Sequence, residues 1–364
     1  RDQHPSPHRR ASDLFPAQRA VLDTLRQRLP ENDPPLEDGE AWQRLAEQFV
    51  AVADMQRAVA LGNPLLDFDR LLLVRRSRKS RSLGLPQNWQ SHCVPPRSGF
   101  DNEIAVLSEL APDGAWRTLH RPANGGYAGE VDLNWDGERL LFTQSDPESW
   151  KIWEIRADGT GLRQVTRMPP DVDCMDPCYL PDGKILFGST ASYKSVPCWH
   201  GLKWVSNLYQ MEPDGTGVRQ VCFDQDHDLH PVVLPNGQVM YSRWDYTGIN
   251  HIYLRMLMVM NPDGTGQRAV YGSNSWYPNA LYFPRALPGA PNRLACILSG
   301  YHGPHRMGQL VLLDTGAGYH DAAGIVTRIS GRGDPINPMI RDFLVENDWP
   351  RFLHPFPLSE KYFL

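Results

Sequence analysis

The chain contains no apolar run approaching the roughly 18 residues that a membrane-spanning helix requires. It carries no excess of positive charge either. Its 37 Lys and Arg residues stand against 42 Asp and Glu, a net charge of −5, which argues against a nucleic-acid-binding face. The basic stretch from Arg75 to Arg81 reads RRSRKSR and is expected to be a solvated edge or loop. No Cys-x-x-Cys-His string for covalent haem attachment occurs, nor a Cys-x-x-Cys redox pair, nor a Gly-x-Ser-x-Gly nucleophile string. The six cysteines (Cys93, Cys174, Cys178, Cys198, Cys222 and Cys296) are too sparse for the disulfide framework of a small secreted scaffold. The chain holds no secretory signal and opens at Arg1 without a Met, and the final Lys361-Tyr362-Phe363-Leu364 reads as a strand just beginning. Both ends are therefore expected to be cut points.

A hydrophobic fraction of 41% is ample for a buried core, so the chain is read as globular. Residues 1–66 carry a helical pattern. Ser12 or Asp13 can cap a helix with Pro16 in its first turn and Val21, Leu22, Leu25 and Leu29 on one face. The Pro-rich break from Pro30 to Pro35 ends it. A second helix is expected from about Glu40 to Leu61, with Trp42, Leu45, Phe49 and Val52 as its apolar stripe and Gly62 as its stop. So small a segment is expected to pack on the remainder of the chain.

From Asp67 to Leu364 the texture changes to short apolar runs punctuated by Gly, Pro, Asn and Asp, the mark of many short strands. One turn recurs as Trp135-Asp136-Gly137, Pro181-Asp182-Gly183 and Pro235-Asn236-Gly237, at spacings of 46 and 54 residues. A second recurs out of phase as Asp158-Gly159-Thr160-Gly161, Asp214-Gly215-Thr216-Gly217 and Asp263-Gly264-Thr265-Gly266, at spacings of 56 and 49 residues. Glycine suits such hairpins because it adopts positive φ without steric cost. Two hairpins per unit of about 50 residues make four strands, the content of one propeller blade. Blades are expected at 67–125, 126–170, 171–225, 226–272 and 273–330, with a sixth opening near 335 and stopping mid-strand. The fold class is thus all-β, a six-bladed propeller with a truncated sixth blade behind a short helical segment.

The outer turns and the LRQVT and VRQVC strings after them resemble the TolB-like propeller repeat. Longer strings, DPCYLPDGKILFGSTA (Asp176–Ala191), FDQDHDLHP (Phe223–Pro231), YGSNSWYPN (Tyr271–Asn279), RMGQLVLLD (Arg306–Asp314) and FLHPFPLSEKYFL (Phe352–Leu364), resemble the hydrazine synthase alpha subunit family. The resemblance runs from about Arg70 to Leu364. It implies an extracytoplasmic, periplasmic bacterial protein whose propeller sits among other domains. In that family c-type haems combine nitric oxide and ammonium into hydrazine, with zinc near the active haem. Here the haem would have to come from regions beyond this chain or from a c-type cytochrome partner. Strings such as Tyr301-His302-Gly303-Pro304-His305 and Asp173-Cys174-Met175 depart from the family pattern.

Propeller sites collect where inner strands from every blade converge on the axis. Six residues before each inner turn lie Glu130, Asp176 and His230, and a polar residue followed by Pro recurs as Tyr277-Pro278 and His354-Pro355. Two residues further along stand Asp132, Cys178 and Asn279. Asp176, His230 and His354 are the expected catalytic groups. Glu130, Cys178 and His230 are the expected metal ligands, with donor types suited to zinc. The same residues also suit a merely wet, hydrogen-bonded channel. Further candidates are Asp226-His227-Asp228, as ligands or an exposed loop, and Cys198, as a partner for Cys178 or a buried thiol. His302, His305 and Arg306 form a basic loop that could meet an anion, and Arg243-Trp244-Asp245 suggests an ion pair beside a buried aromatic. The tripeptide Arg332-Gly333-Asp334 is discounted as accidental. Three functions fit: a metal-lined redox subunit, a non-catalytic TolB-like interaction propeller, and a peptidase-gating propeller whose hydrolase lies beyond this chain.

Overall fold

The structure is a computed structural model that describes Asp23, Gln27 and residues 38–364, apart from 81–84, 86–94, 112, 247–253, 274, 276–279 and 330–341. The chain divides into two compact units, Arg1–Leu71 with Leu107–Ala115, and Leu72–Val106 with Trp116–Leu364.

Within the first unit, helix α1 spans Gly39–Leu61. Asp38 caps it by accepting the Ala41 N–H at 2.9 Å, and the Gly62 N–H closes the far end on the Ala58 carbonyl. Its half-buried stripe runs along Leu45, Val52, Met55 and Val59. Phe49, expected on that stripe, lies at its margin and is 72% exposed. The expected first helix, about Ser12 to Leu29, lies almost wholly outside the described residues.

The second unit is built from antiparallel meanders. β1 (Arg70–Arg76), β2 (Asn102–Ser108) and β3 (Ala115–His120) form a three-stranded sheet. β4 (Ala128–Leu133), β5 (Arg139–Ser145), β6 (Trp150–Arg156) and β7 (Arg163–Gln164) form a sheet in chain order. So do β8 (Cys174–Tyr179), β9 (Ile185–Ser189), β10 (Asn207–Met211) and β11 (Arg219–Gln220). β12 (Asp228–Val233), β13 (Val239–Trp244), β14 (Arg255–Met260) and β15 (Arg268–Tyr271) repeat the pattern. β16 (Ala280–Leu287), β17 (Ala290–Ser299), β18 (Gln309–Asp314) and β19 (Ile325–Ile329) repeat it again, joined to the preceding meander by one parallel contact, Arg255 with Ala280.

Each four-stranded meander falls inside one of the intervals set by the turn spacing. The outer turns show why. In each, an aspartate carboxylate oxygen accepts both the N–H and the O–H of the Thr two residues on: Asp158 from Thr160, Asp214 from Thr216 and Asp263 from Thr265. Between them the glycines hold positive φ, 86° at Gly215 and 87° at Gly264.

The first strands lie side by side in the series β4, β8, β12, β16. The meanders pack face on face through apolar layers, which gives the all-β, propeller-like arrangement. Leu141, Ile152 and Val165 meet Ile185, Phe187 and Met211; Leu186, Leu208 and Val221 meet Val239, Met258 and Met260. On the last strand of each of the first three sheets, a cation reaches the next sheet. Arg117 donates to the Asp158 carbonyl at 2.9 Å, Arg163 to the Pro213 carbonyl at 3.0 Å and Arg219 to the Asp263 carbonyl at 3.4 Å. Residues 342–364, where a truncated sixth blade was expected, hold no named strand. Phe352 bridges Gly308, Phe356 pairs with Leu364, and Phe352, Leu353 and Phe363 pack on Tyr282, Ile297 and Leu310.

A Cβ at Gly215 would stand 2.1 Å from the Val165 carbonyl oxygen, whereas one at Gly183 would meet nothing within 4 Å, and both glycines have positive φ. Gly183→Ala is expected to cost about 1 kcal/mol from backbone strain alone, and Gly215→Ala about 3 kcal/mol or more, because the neighbouring meander must also move. Urea unfolding of the two variants side by side checks the difference.

Candidate functional site

The inner strands share one irregularity. Between Gly129 and Asp132 in β4, Met175 and Cys178 in β8, Leu229 and Val232 in β12, and Tyr282 and Arg285 in β16, the register against the following strand slips by one residue. The slip begins at a residue with positive φ: Glu130 at 47°, Asp176 at 49°, His230 at 53° and Phe283 at 51°, and His354 adopts the same conformation at 48°. A bulge bends its strand and re-aims a side chain. Asp176, His230, Phe283 and His354 are each followed by proline, which has no N–H to lose where the ladder is already broken.

Three of the expected axial residues, Glu130, Asp176 and His230, therefore occupy equivalent bulges, and His354 shares their backbone conformation outside any strand. The fifth differs. Tyr277 and Asn279 lie outside the described residues, and the equivalent bulge of β16 is Phe283-Pro284, with Arg285 two residues on. Phe283 stands between the two imidazoles, 4.1 Å from the His230 ring centroid and 4.2 Å from that of His354. Asp176 accepts a hydrogen bond from the backbone N–H of His230 at 3.2 Å, and the Asp176 N–H donates to Thr143 Oγ1. Glu130 accepts from the Tyr127 hydroxyl at 2.6 Å.

Arg306, fully buried in the loop before β18, sits 2.8 Å from His230 Nε2 through Nη1. A guanidinium cannot accept, so the bond holds His230 as the Nδ1–H tautomer with its Nε2 lone pair engaged. A metal at that nitrogen would have to displace Arg306. Cys178 lies in the apolar layer between β8–β11 and β12–β15, and burial pushes its thiol well above the ordinary value, away from the thiolate that a metal binds. Glu130, Cys178 and His230 thus do not assemble as a ligand set. Among the described residues no three His, Cys, Asp or Glu side chains form a group able to hold a metal ion.

Two residues past the bulges, Asp132 accepts the Tyr179 N–H at 2.9 Å, and burial raises its carboxyl to about 6, opposed by that hydrogen bond and by Arg285. Burial lowers Arg285, opposed by Asp132 and the Cys178 thiol. His354 is pushed down to about 3 by burial, then by Arg76, with Arg285 and Arg306 acting in the same sense and Glu130 against them. It is a neutral imidazole at physiological pH. The cluster therefore offers guanidinium donors, neutral imidazoles and one carboxyl poised near neutrality, a set suited to binding a polar ligand or moving a proton.

The other candidates resolve as packing. Asp226, His227 and Asp228 are not an exposed loop; all three are buried at the head of β12. His227 Nδ1 accepts the Ser206 N–H at 3.1 Å and its ring stacks on Trp244. Arg243 pairs with Asp228 at 2.8 Å and Asp224 at 3.4 Å beside the buried Trp244. His302 pairs with Asp342 at 2.7 Å. Cys174, Cys178, Cys222 and Cys296 are free buried thiols, whereas Cys93, the Cys198 side chain and Arg332-Gly333-Asp334 lie outside the described residues. The sequence reading missed Phe283, Arg285 and Arg76. The Phe-Pro pair carried the same signal as Asp176-Pro177, but an apolar first residue hid it.

No protein-family model matches the chain, and no curated protein matches it at a significant level. Among solved structures, hydrazine synthase of Kuenenia stuttgartiensis aligns with a TM-score of 0.56 at 18% identity, over 69% of this chain and 38% of that one. A putative TolB from Agrobacterium tumefaciens aligns at 0.38 with 17% identity, over 46% of this chain and 56% of that one. TolB from Acinetobacter baumannii aligns at 0.39 with 12% identity, over 78% and 69%. The likeness to hydrazine synthase bears on the fold, and this chain spans well under half of that protein's length. No helix among the described residues is long and apolar enough to cross a membrane.

With a folded value near 6 and an unfolded one near 3.8, Asp132 binds its proton more tightly in the folded state. It therefore lowers stability as pH rises from about 4 to 6. Asp132→Asn is expected to remove up to about 2 kcal/mol of that loss, part of it screened by solvent. Urea midpoints measured from pH 4 to pH 7 should fall less steeply in the variant than in the parent.

Proposed function

We propose that the chain is the propeller domain of an extracytoplasmic, periplasmic hydrazine synthase alpha-like subunit in a redox enzyme of nitrogen metabolism, its c-type haem carried by other regions or by a cytochrome partner. The observation that carries this reading is the placing of Glu130, Asp176 and His230 at equivalent inner-strand bulges, with His354 packed on the Phe283 ring of a fourth. The propeller-like fold shared with hydrazine synthase of Kuenenia stuttgartiensis supports it. Sequence strings such as Asp176–Ala191 and Phe352–Leu364 support the same assignment.

In this reading the axial cluster faces the redox centre and handles protons. Asp132 is the group whose proton affinity suits the task, Arg306 fixes the tautomer of His230, and neutral His354 adds a second imidazole. Zinc, if the enzyme uses it, binds elsewhere than on Cys178 and His230 Nε2 as they stand, and no step of the reading requires it.

The test is made on the full-length gene product, expressed with cytochrome c maturation and purified with whatever copurifies. Haem absorbance in the protein or in a copurifying cytochrome, with hydrazine formed from nitric oxide and ammonium, is the expected result. Loss of that activity in His354→Ala and Asp132→Asn would place the cluster in the reaction. A haem-free protein that makes no hydrazine but still retains stable partners unaffected by those substitutions would replace this reading with a non-catalytic interaction propeller.

A further inference from the structure

Each axial carboxylate accepts a hydrogen bond from a neighbouring donor. Glu130 accepts from Tyr127, Asp176 from the His230 N–H and Asp132 from the Tyr179 N–H. On the donor side, the buried Nε atoms of Arg76 and Arg285 and the buried Nε2 of His354 meet no hydrogen-bond partner among the described residues. These three side chains come from different parts of the fold: the end of β1, the bulge of β16, and the segment after β19. Arg76, Arg285 and Arg306 all act on His354. Arg306 lies over the Tyr282 ring at 5.7 Å, one residue before the Phe283 bulge, so its guanidinium is held at the same end of β16.

A guanidinium carries five N–H donors in a planar fork that matches a carboxylate or an inorganic oxyanion, and a buried donor left without an acceptor loses the hydrogen bond it made to water. The three guanidiniums brought together around a neutral imidazole also repel one another, and Glu130 and Asp132 offset part of that repulsion. Both costs are met by one kind of ligand, rich in acceptors and negatively charged.

We propose that the axial cluster is a binding site for a small oxyanion, inorganic or carboxylate, held by Arg76, Arg285 and Arg306 against His354. This rests on the reading of the axial cluster as the functional site, not on the haem chemistry proposed for it. The anion forks onto the guanidinium edges, as charge-assisted hydrogen bonds do. His354 contributes one further nitrogen, Phe283 supplies an apolar wall, and Glu130 and Asp132 confine the anion to the arginine side by repulsion. The basic loop at Arg306, read from sequence as a place that could meet an anion, supplies one of the three cations.

The test uses the purified chain and three probes, inorganic phosphate, nitrite and acetate, each added at constant ionic strength while the thermal midpoint and the titration heat are followed. A saturable rise in midpoint with at least one probe is expected, together with binding about tenfold or more weaker in Arg285→Met and Arg306→Met. Arg285→Lys should recover part of the affinity. Arg117→Met, which weakens a contact between meanders far from the axis, serves as the folding control and should keep the full anion-induced rise. A rise that is linear and the same for all variants would be general salt stabilisation and would overturn the proposal, as would unchanged affinity in both arginine variants. The haem measurement is independent, so an anion-binding protein without haem separates the two readings.

Discussion

One extra residue in each inner strand, held at positive φ, is the constraint on which the axis depends. A strand alternates its side chains between two faces, and those faces are already committed to the apolar layers between meanders. A residue aimed along the axis has to leave the alternation, and the bulge is what lets it leave. Glu130, Asp176, His230 and Phe283 all stand where the register slips, so axial chemistry and sheet packing use different residues of the same strand. The left-handed backbone at a bulky residue costs of order 1–3 kcal/mol, and such strain persists only where the surroundings over-determine it. Packing against the neighbouring sheets, with proline after Asp176, His230 and Phe283, provides that determination.

The same economy governs the contacts between meanders. Apolar layers supply the attraction but no register, since oil-like surfaces slide. Register comes from polar links at both margins of the sheets. Arg117, Arg163 and Arg219 reach the outer turns, while Asp176 to Thr143 and Tyr179 to Asp132 tie the inner strands. The close approach at Gly215 and Gly264 shows how tightly those margins meet, for a methyl group there would strike a neighbouring carbonyl.

Much of this was legible in the sequence, because turns are local. An Asp-Gly-Thr-Gly string specifies its own hydrogen bonds, and its recurrence fixed the meanders. The axial positions of Glu130, Asp176 and His230 followed from a constant distance to such turns. Phe283 escaped because β16 ends in Pro288-Gly289 rather than Asp-Gly, and because a search for polar residues passes over phenylalanine. Other things were not local. The exposure of Asp226-His227-Asp228 depends on which surfaces close over β12, and a charged string reads as a loop until that packing is known. The fate of His230 depends on Arg306, 76 residues away, whose approach no spacing announces.

Phe283, wedged between the rings of His230 and His354, has an effect of its own. Imidazoles that share a hydrogen bond can pass a hydrogen ion along and blur into one buffering system. An aromatic hydrocarbon between them breaks that wire while leaving both rings within a few ångströms of the same space. The two histidines are therefore insulated neighbours, one tethered to a guanidinium and the other answering to its own surroundings, and any traffic of protons from one to the other must pass through a guest molecule or through solvent.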